Sequence, residues 1–211
     1  MRDNISMSVI RRLPRYYRFL GELKKQGLTR ISSRGLAERM GVTASQIRQD
    51  LNCFGGFGQQ GYGYNIELLE GQIAEILGIT NKYDCIIIGA GNLGRAIATH
   101  MHFEERGFRL AAVFDKNESL AGKIVAGLPI RHTGGLDEFC RRERPKVAML
   151  CVPQDAAEAL GKQLVSLGIK GIWNFSHYDF GEMKGVAVEN VHLGDSMMTL
   201  CYRVSELEEK K

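Results

Sequence analysis

Apolar positions in the first third of the chain fall at helical spacing, whereas further on they gather into short runs separated by helical stretches. Tyr17, Leu20 and Leu23 recur at helical intervals after Pro14, a residue suited to a first turn where its missing N–H has no partner to lose, and Gly27 marks the end of that helix. Ser32 opens a short capped helix stopped by Gly41, and Thr43 opens another over residues 44–51 after a tight turn, which together predict a helix-turn-helix. Residues 55–64 alternate glycine with aromatic and polar side chains, as a hairpin does when its tip needs positive φ, so a wing is expected there. Ile66, Leu69, Ile73, Ile76 and Leu77 then predict an amphipathic helix leading to a domain border near residues 80–82.

From Tyr83 onward the texture changes. Strands are expected at residues 84–88, 109–114, 146–152, 171–174 and 186–191, and helices near 93–105, 155–167 and 195–208, the alternation of a parallel sheet. The predicted fold class is α/β: a winged-helix unit over residues 1–80, a Rossmann-like parallel-sheet unit over 81–193, and a final helix over 194–211. Along that helix Met197, Leu200, Cys201, Val204 and Leu207 form an apolar stripe that needs a surface, either on a second copy or on the sheet of the same chain. Asp195 is placed to cap its start.

The most specific chemistry lies where the first strand of the sheet runs into Gly89, Ala90, Gly91, Asn92, Leu93 and Gly94 and then a helix. In a G-x-G-x-x-G loop the first glycine permits the tight turn, the second lets the backbone approach a pyrophosphate and the third allows close helix packing, with the helix amides facing the anion. Asp115 stands 21 residues after Gly94, where a carboxylate binds ribose hydroxyls and repels a 2′-phosphate, favouring NAD(H) over NADP(H). A plain strand-end turn is the alternative for Asp115, and Lys116 beside it tempers the discrimination. Cys151, Val152 and Pro153 end another strand at the same sheet edge, either lining the nicotinamide end of the crevice or serving as a simple turn.

Charge adds a second function to this picture. The net charge is only +4, but residues 1–80 hold 11 Lys and Arg against 7 Asp and Glu, and between Arg11 and Gln49 ten cations face only Glu22 and Glu38. Such a local excess suits DNA, with a solvated helix surface as the competing explanation. Five cysteines, widely scattered and never spaced as C-x-x-C, argue against a disulfide framework or a zinc site, and no metal is expected. No apolar run approaches the roughly 20 residues of a membrane span, and the opening residues lack a signal-peptide core, so a cytoplasmic protein is expected.

An oxidoreductase needs a second substrate pocket and a positioned acid or base. The sheet consumes nearly all of the residues after the border, and none of the five histidines (His100, His102, His132, His177 and His192) stands at a diagnostic spacing from Ser, Cys or a carboxylate. The expectation is therefore a regulator and not an enzyme, with a small NAD(P)-dependent oxidoreductase and a regulator binding a CoA-like adenine nucleotide as the alternatives.

From Arg12-Leu13-Pro14-Arg15-Tyr16-Tyr17 to the carboxyl terminus the chain resembles the Rex family of redox-sensing repressors, most specifically at Val42-Thr43-Ala44, Ile47-Arg48, Gly61-Tyr62-Gly63-Tyr64, the Gly89–Gly94 loop, Val152-Pro153 and residues 167–172. The resemblance implies a homodimer on an inverted-repeat operator in double-stranded DNA, released when NADH binds and retained with NAD+. It implies DNA contacts from Ser45, Gln46, Arg48, Gln49 and Gln60, and a last helix exchanged between protomers through Leu193, Met197, Leu200, Cys201 and Val204. Departures from the family pattern occur at Gln49, where a second basic residue is usual, and at the wing tip, where Gln59-Gln60 replaces Lys or Arg. Fewer phosphate contacts imply a shallower salt dependence, while glutamine remains able to pair with adenine. The family's switch pairs an aspartate before the last helix with an arginine that aligns with Arg18; here His192 and His100 hold the matching positions. An imidazole does not supply a carboxylate's charge, so the coupling implied is weaker, reversed in sign or pH-dependent.

Overall fold

The computed structural model describes residues 5–55 and 62–209 of the chain; Gln59 and Gln60, the expected wing tip, lie outside the described residues. The chain divides into two compact units, Met1–Asn81 and Lys82–Lys211.

The first unit contains α1 (Met7–Ile10), α2 (Leu13–Lys25), β1 (Arg30–Ile31), α3 (Ser33–Met40), α4 (Ala44–Asn52), β2 (Tyr64–Asn65) and α5 (Ile66–Leu77). Local chemistry sets the boundaries of α3 and α4. The Ser32 hydroxyl accepts from the Gly35 N–H and the Thr43 hydroxyl from the Gln46 N–H, each satisfying an orphan donor of the first turn. Gly41, in the left-handed region at φ 64°, ends α3. Leu13, Tyr16, Leu20 and Leu23 of α2 pack with Leu36, Met40, Ile47, Leu51, Ile66, Leu69 and Ile73 in one core. Tyr16 is the buried aromatic of α2, and the neighbouring Tyr17, expected inside from its spacing, is only half-buried.

The expected hairpin over residues 55–64 falls largely outside the described residues, and at its end Tyr64 enters a two-stranded sheet. Its strands come from either side of the helix-turn-helix: Arg30 pairs with Asn65 and Ile31 with Tyr64, antiparallel. Gly63, at φ 70°, lies so close to this pairing that a Cβ there would meet the Ile31 carbonyl oxygen at 2.6 Å.

The second unit holds β3 (Tyr83–Ile88), α6 (Asn92–His100), β4 (Phe108–Asp115), β5 (Ile124–Val125), β6 (Leu128–His132), α7 (Leu136–Glu143), β7 (Val147–Leu150), α8 (Gln154–Ser166), β8 (Gly171–Asn174), β9 (Ala187–Asn190) and α9 (Leu193–Glu209). The strands align in the order β5-β6-β4-β3-β7-β8-β9, and all neighbours are parallel except the β5–β6 pair. Setting β5 aside, this is the doubly wound 3-2-1-4-5-6 order, whose direction of progression reverses between β3 and β7. Ile86 and Ile88 face one apolar layer and Cys85 and Ile87 the other, as expected of a strand covered on both sides.

Three expectations need amendment. The helix expected over residues 93–105 stops at His100 and is followed by a separate 3-10 turn at Phe103–Arg106, after His102 takes a left-handed conformation at φ 46°. Between the strands expected at 109–114 and 146–152, where no element is expected, the chain forms β5, β6 and α7. Finally, Asp195 does not precede the last helix: α9 starts at Leu193, with Asp195 in its first turn, its N–H donating to the His192 carbonyl (3.2 Å).

Candidate functional site

The loop after β3 sits at the point where the sheet order reverses, which is where open α/β sheets bind ligands. The Gly89 N–H donates to the Phe114 carbonyl and the Cys151 N–H to the Ile88 carbonyl, both at 2.8 Å, so the chain leaves β3 tied to β4 and β7 together. Gly89 has φ 101°, and a Cβ on it would meet the Cys151 carbonyl oxygen at 2.2 Å. A Cβ on Gly94 would meet the Gly89 carbonyl oxygen at 1.8 Å. These two glycines are demanded by the protein's own packing. Gly91 is different: nothing lies within 4 Å of the place its Cβ would take, and it opens α6 without any side-chain cap. An uncapped helix terminus with open space at the second glycine fits a pyrophosphate, since the free amides and helix dipole favour an anion there.

The remaining residues expected at this edge surround the loop. Ala90 is buried, and its N–H donates to Asp115 Oδ2 at 2.6 Å, while Asp115 Oδ1 accepts from the Asn117 N–H at 2.8 Å. Asn92 accepts from Arg95, Leu93 is exposed at the start of α6, and Lys116 is exposed beside Asp115. Cys151 and Val152 are half-buried and Pro153, exposed, precedes α8, which also begins at this edge. Burial pushes the Cys151 thiol up to about 12, and Cys85 likewise, so both are protonated and unreactive at neutral pH. A recess of about 570 Å³ lies at the opposite edge of the sheet, lined by Lys82, Asp84, Arg109 and Lys146 among others, and plays no part in this loop.

In the first unit, α4 is the second helix of the helix-turn-helix. Ser45, Arg48 and Gln49 are exposed on one side, with Arg48 donating to the Ser33 hydroxyl at 3.1 Å. Ile47 and Leu51 are buried on the other. Gln46 is half-buried and donates to Asp50 Oδ1 at 2.8 Å.

Of the expected switch residues, Arg18 is exposed on α2 with its guanidinium 5.8 Å from the Phe19 ring, and His100 is exposed at the end of α6. His192 is half-buried just before α9; its Nε2 donates to Asp179 at 2.6 Å, and its ring stacks 6.3 Å from that of His177. Sequence reasoning missed this cluster, since only the fold brings residues 13 positions apart together. The hydrogen bond to Asp179 raises the His192 imidazole above its ordinary 6.5. Leu193, Met197, Leu200, Cys201 and Val204 are all exposed along α9, and α9 buries no residue within the chain. The stripe therefore does not pack on the chain's own sheet. Among the described residues no cluster of His, Cys, Asp or Glu could hold a metal ion, and no helix is long and apolar enough to cross a membrane.

Comparison with known proteins decides the family. Residues 4–52 match a family described as "Putative DNA-binding protein N-terminus", and residues 80–178 one described as "CoA binding domain". The redox-sensing transcriptional repressor Rex of Thermoanaerobacter pseudethanolicus is 51% identical over 98% of this chain and 92% of its own length. The chain belongs to the Rex family. Rex of Clostridium tetani is 48% identical over 98% of both chains. Among solved structures, that of RSP in complex with β-NAD+ and operator DNA superposes with a TM-score of 0.90 at 51% identity, covering 97% of this chain and 94% of that one. RSP in complex with β-NADH gives 0.88 at 48% identity, covering 97% and 96%. Members of this family are transcriptional repressors and not enzymes, and the α/β fold with a winged-helix unit and a Rossmann-like sheet agrees with them.

Two outcomes follow from this geometry. Replacing Gly94 with Ala costs about 1–3 kcal/mol of stability by overpacking the loop, whereas Gly91→Ala leaves the thermal midpoint near wild type; equal midpoints for the two variants in thermal unfolding contradict the packing described. His192 titrates above 6.5 in NMR-monitored titration, and Asp179→Asn returns it toward that value. Because the folded value is raised, the stability it contributes is fully present below the unfolded value and is lost as pH rises through the folded one. A His192 shift that survives Asp179→Asn rules this pairing out as its cause.

Proposed function

We propose that the chain is a DNA-binding transcriptional repressor that senses the NADH/NAD+ ratio and leaves its operator when NADH binds. The observation that carries this reading is the Gly89–Gly94 loop, with its two sterically obligatory glycines and one open one, on the same polypeptide as a helix-turn-helix whose second helix exposes Ser45, Arg48 and Gln49.

In this reading the pyrophosphate of NADH or NAD+ lies on the amides of residues 89–94. Asp115 uses its remaining lone pairs for the ribose hydroxyls, beside Lys116, and Cys151, Val152 and Pro153 border the nicotinamide end. The bound dinucleotide supplies the redox signal, since its nicotinamide ring is cationic when oxidised and neutral when reduced. Ser45, Arg48 and Gln49 face the bases or phosphates of the operator, and Gln60 extends the contact from the wing. Two copies of the chain pair through Leu193, Met197, Leu200, Cys201 and Val204 of α9, exchanged between protomers, which matches a helix with a wholly exposed apolar stripe. The two-fold pairing presents two α4 helices to an inverted repeat in double-stranded DNA. Residues 1–80 serve as the DNA-binding domain, 81–193 as the dinucleotide domain and 194–211 as the exchanged helix, in a protein of the cytoplasm. Arg18, His100 and His192 belong to the link between the two functions, in which His192 pairs with Asp179 instead of offering a carboxylate of its own.

The match of residues 80–178 to a CoA-binding description favours one second reading, an adenine nucleotide of the CoA type in the same loop. Calorimetric titration with NADH, NAD+, NADPH and CoA separates the two. NADH binds tightest, NADPH and CoA are disfavoured by the Asp115 carboxylate facing an added phosphate, and Gly91→Ala weakens NADH by about tenfold, equivalent to roughly 1.4 kcal/mol. Preferential binding of CoA, or no loss in the Gly91 variant, overturns the assignment.

A further inference from the structure

Asp50 is an acidic side chain on the helix expected to meet a polyanion, and it is 1% exposed. Three side chains hold it. Arg12, just ahead of α2, donates from Nε to Oδ2 and from Nη2 to Oδ1, both at 2.7 Å. The Tyr16 hydroxyl, on α2, donates to Oδ2 at 2.6 Å, and Gln46, one turn earlier on α4, donates to Oδ1 at 2.8 Å. Burial on its own raises the carboxyl of Asp50, but the bonds from Arg12, Tyr16 and Gln46 overcome it and hold the group below the usual carboxylate range. Burial raises the Tyr16 hydroxyl, and the bond to Asp50 adds to it. Asp50 is therefore ionised and Tyr16 protonated throughout the neutral range.

A buried charge set is seldom the most stable way to fill a core, and its value lies in directionality. Ile47 and Leu51 anchor α4 by apolar burial, which has no preferred angle and tolerates small rotations about the helix axis. Four hydrogen bonds to one carboxylate do not, because they weaken steeply once bent or stretched. Gln46 and Asp50 lie on the inward side of α4, and Ser45, Arg48 and Gln49 on the outward side, so fixing one side fixes the rotational phase of the other.

We propose that Asp50 is a positioning residue for DNA reading: with Arg12, Tyr16 and Gln46 it locks the rotation of α4 so that Ser45, Arg48 and Gln49 meet the operator in register. Two consequences follow. Gln46, expected from the family resemblance to touch DNA, spends its amide on Asp50. Arg12, a third exposed, has its charge compensated and is withheld from the phosphates.

The inference rests on the repressor reading, and its test separates the two. A duplex is selected from a random-sequence pool by the wild-type protein, and affinity for it is compared with affinity for a scrambled duplex at a temperature where each variant is folded. In Asp50→Asn the ratio of selected to scrambled affinity falls by about tenfold or more, as for a lost hydrogen-bonded charge. Binding to scrambled DNA is unchanged or tighter, with a salt slope steeper by about 1 as Arg12 becomes available to a phosphate. A general loss of structure weakens both duplexes alike and does not produce this pattern. Tyr16→Phe, which leaves the Arg12 pair in place, lowers the ratio without changing the slope and carries the test if Asp50→Asn does not fold. Gln46→Met lowers the ratio while keeping the same preferred base at every position of the selected site. A wild-type protein that selects no sequence removes the repressor reading and this inference together. A selective wild type whose Tyr16→Phe and Asp50→Asn variants keep the full ratio, or a Gln46→Met variant that loses preference at one base pair, overturns the positioning role alone.

Discussion

The second unit depends on one close approach of backbone to backbone. The carbonyl oxygen of Cys151 occupies the space in which a side chain at Gly89 would begin, and the carbonyl oxygen of Gly89 does the same to Gly94. Two absent methyl groups thus let β3 and β7 run side by side to the edge of the sheet and let α6 start directly above their junction. In the proposed reading the amides of that first turn hold an anion, which the close approach of the helix allows. Gly91 is not required by this packing, and the open space beside it is where the proposed pyrophosphate lies.

The first unit reaches precision by another route. Its helices are short, with α3 spanning 8 residues and α4 spanning 9, so few apolar side chains are available to define each orientation. A carboxylate buried under α4 and held by directed donors supplies the constraint that a small apolar interface lacks. The last helix has neither solution: α9 runs 17 residues with no buried side chain of its own, and in the proposed reading a second copy covers its apolar stripe.

Much of this was legible in the sequence where local chemistry decides structure. The run from Tyr83 to Gly94 combines a strand ending in four apolar residues, a glycine spacing and a helical pattern, and each points to the same unit. Ser32 and Thr43 announce their helices because capping needs only the next three residues. The segment carrying β5, β6 and α7 was not legible: its strands are 2 and 5 residues long, and α7 has five charged residues in eight, with only Leu136, Phe139 and Cys140 buried. The two-residue strands β1 and β2 are too short to show alternation, and their pairing spans the whole helix-turn-helix, so it leaves no local signal in the sequence. The Asp50 and His192 contacts were invisible for a related reason, since their partners lie 38, 34 and 13 residues away and only the folded chain brings them together.

A repressor of this type must turn occupancy of the Gly89–Gly94 loop into a change in DNA affinity, a reciprocal coupling of about 1–3 kcal/mol in most such systems. In the proposed reading, with His192 paired to Asp179 in place of a free carboxylate, that coupling also carries the proton occupancy of an imidazole. The most direct measurement is fluorescence anisotropy of a labelled duplex bound to the protein during titration with NADH, with NAD+ titrated in parallel. Release of the duplex by NADH at concentrations where NAD+ leaves it bound is the predicted result; identical curves for the two dinucleotides, or no release by either, contradict it.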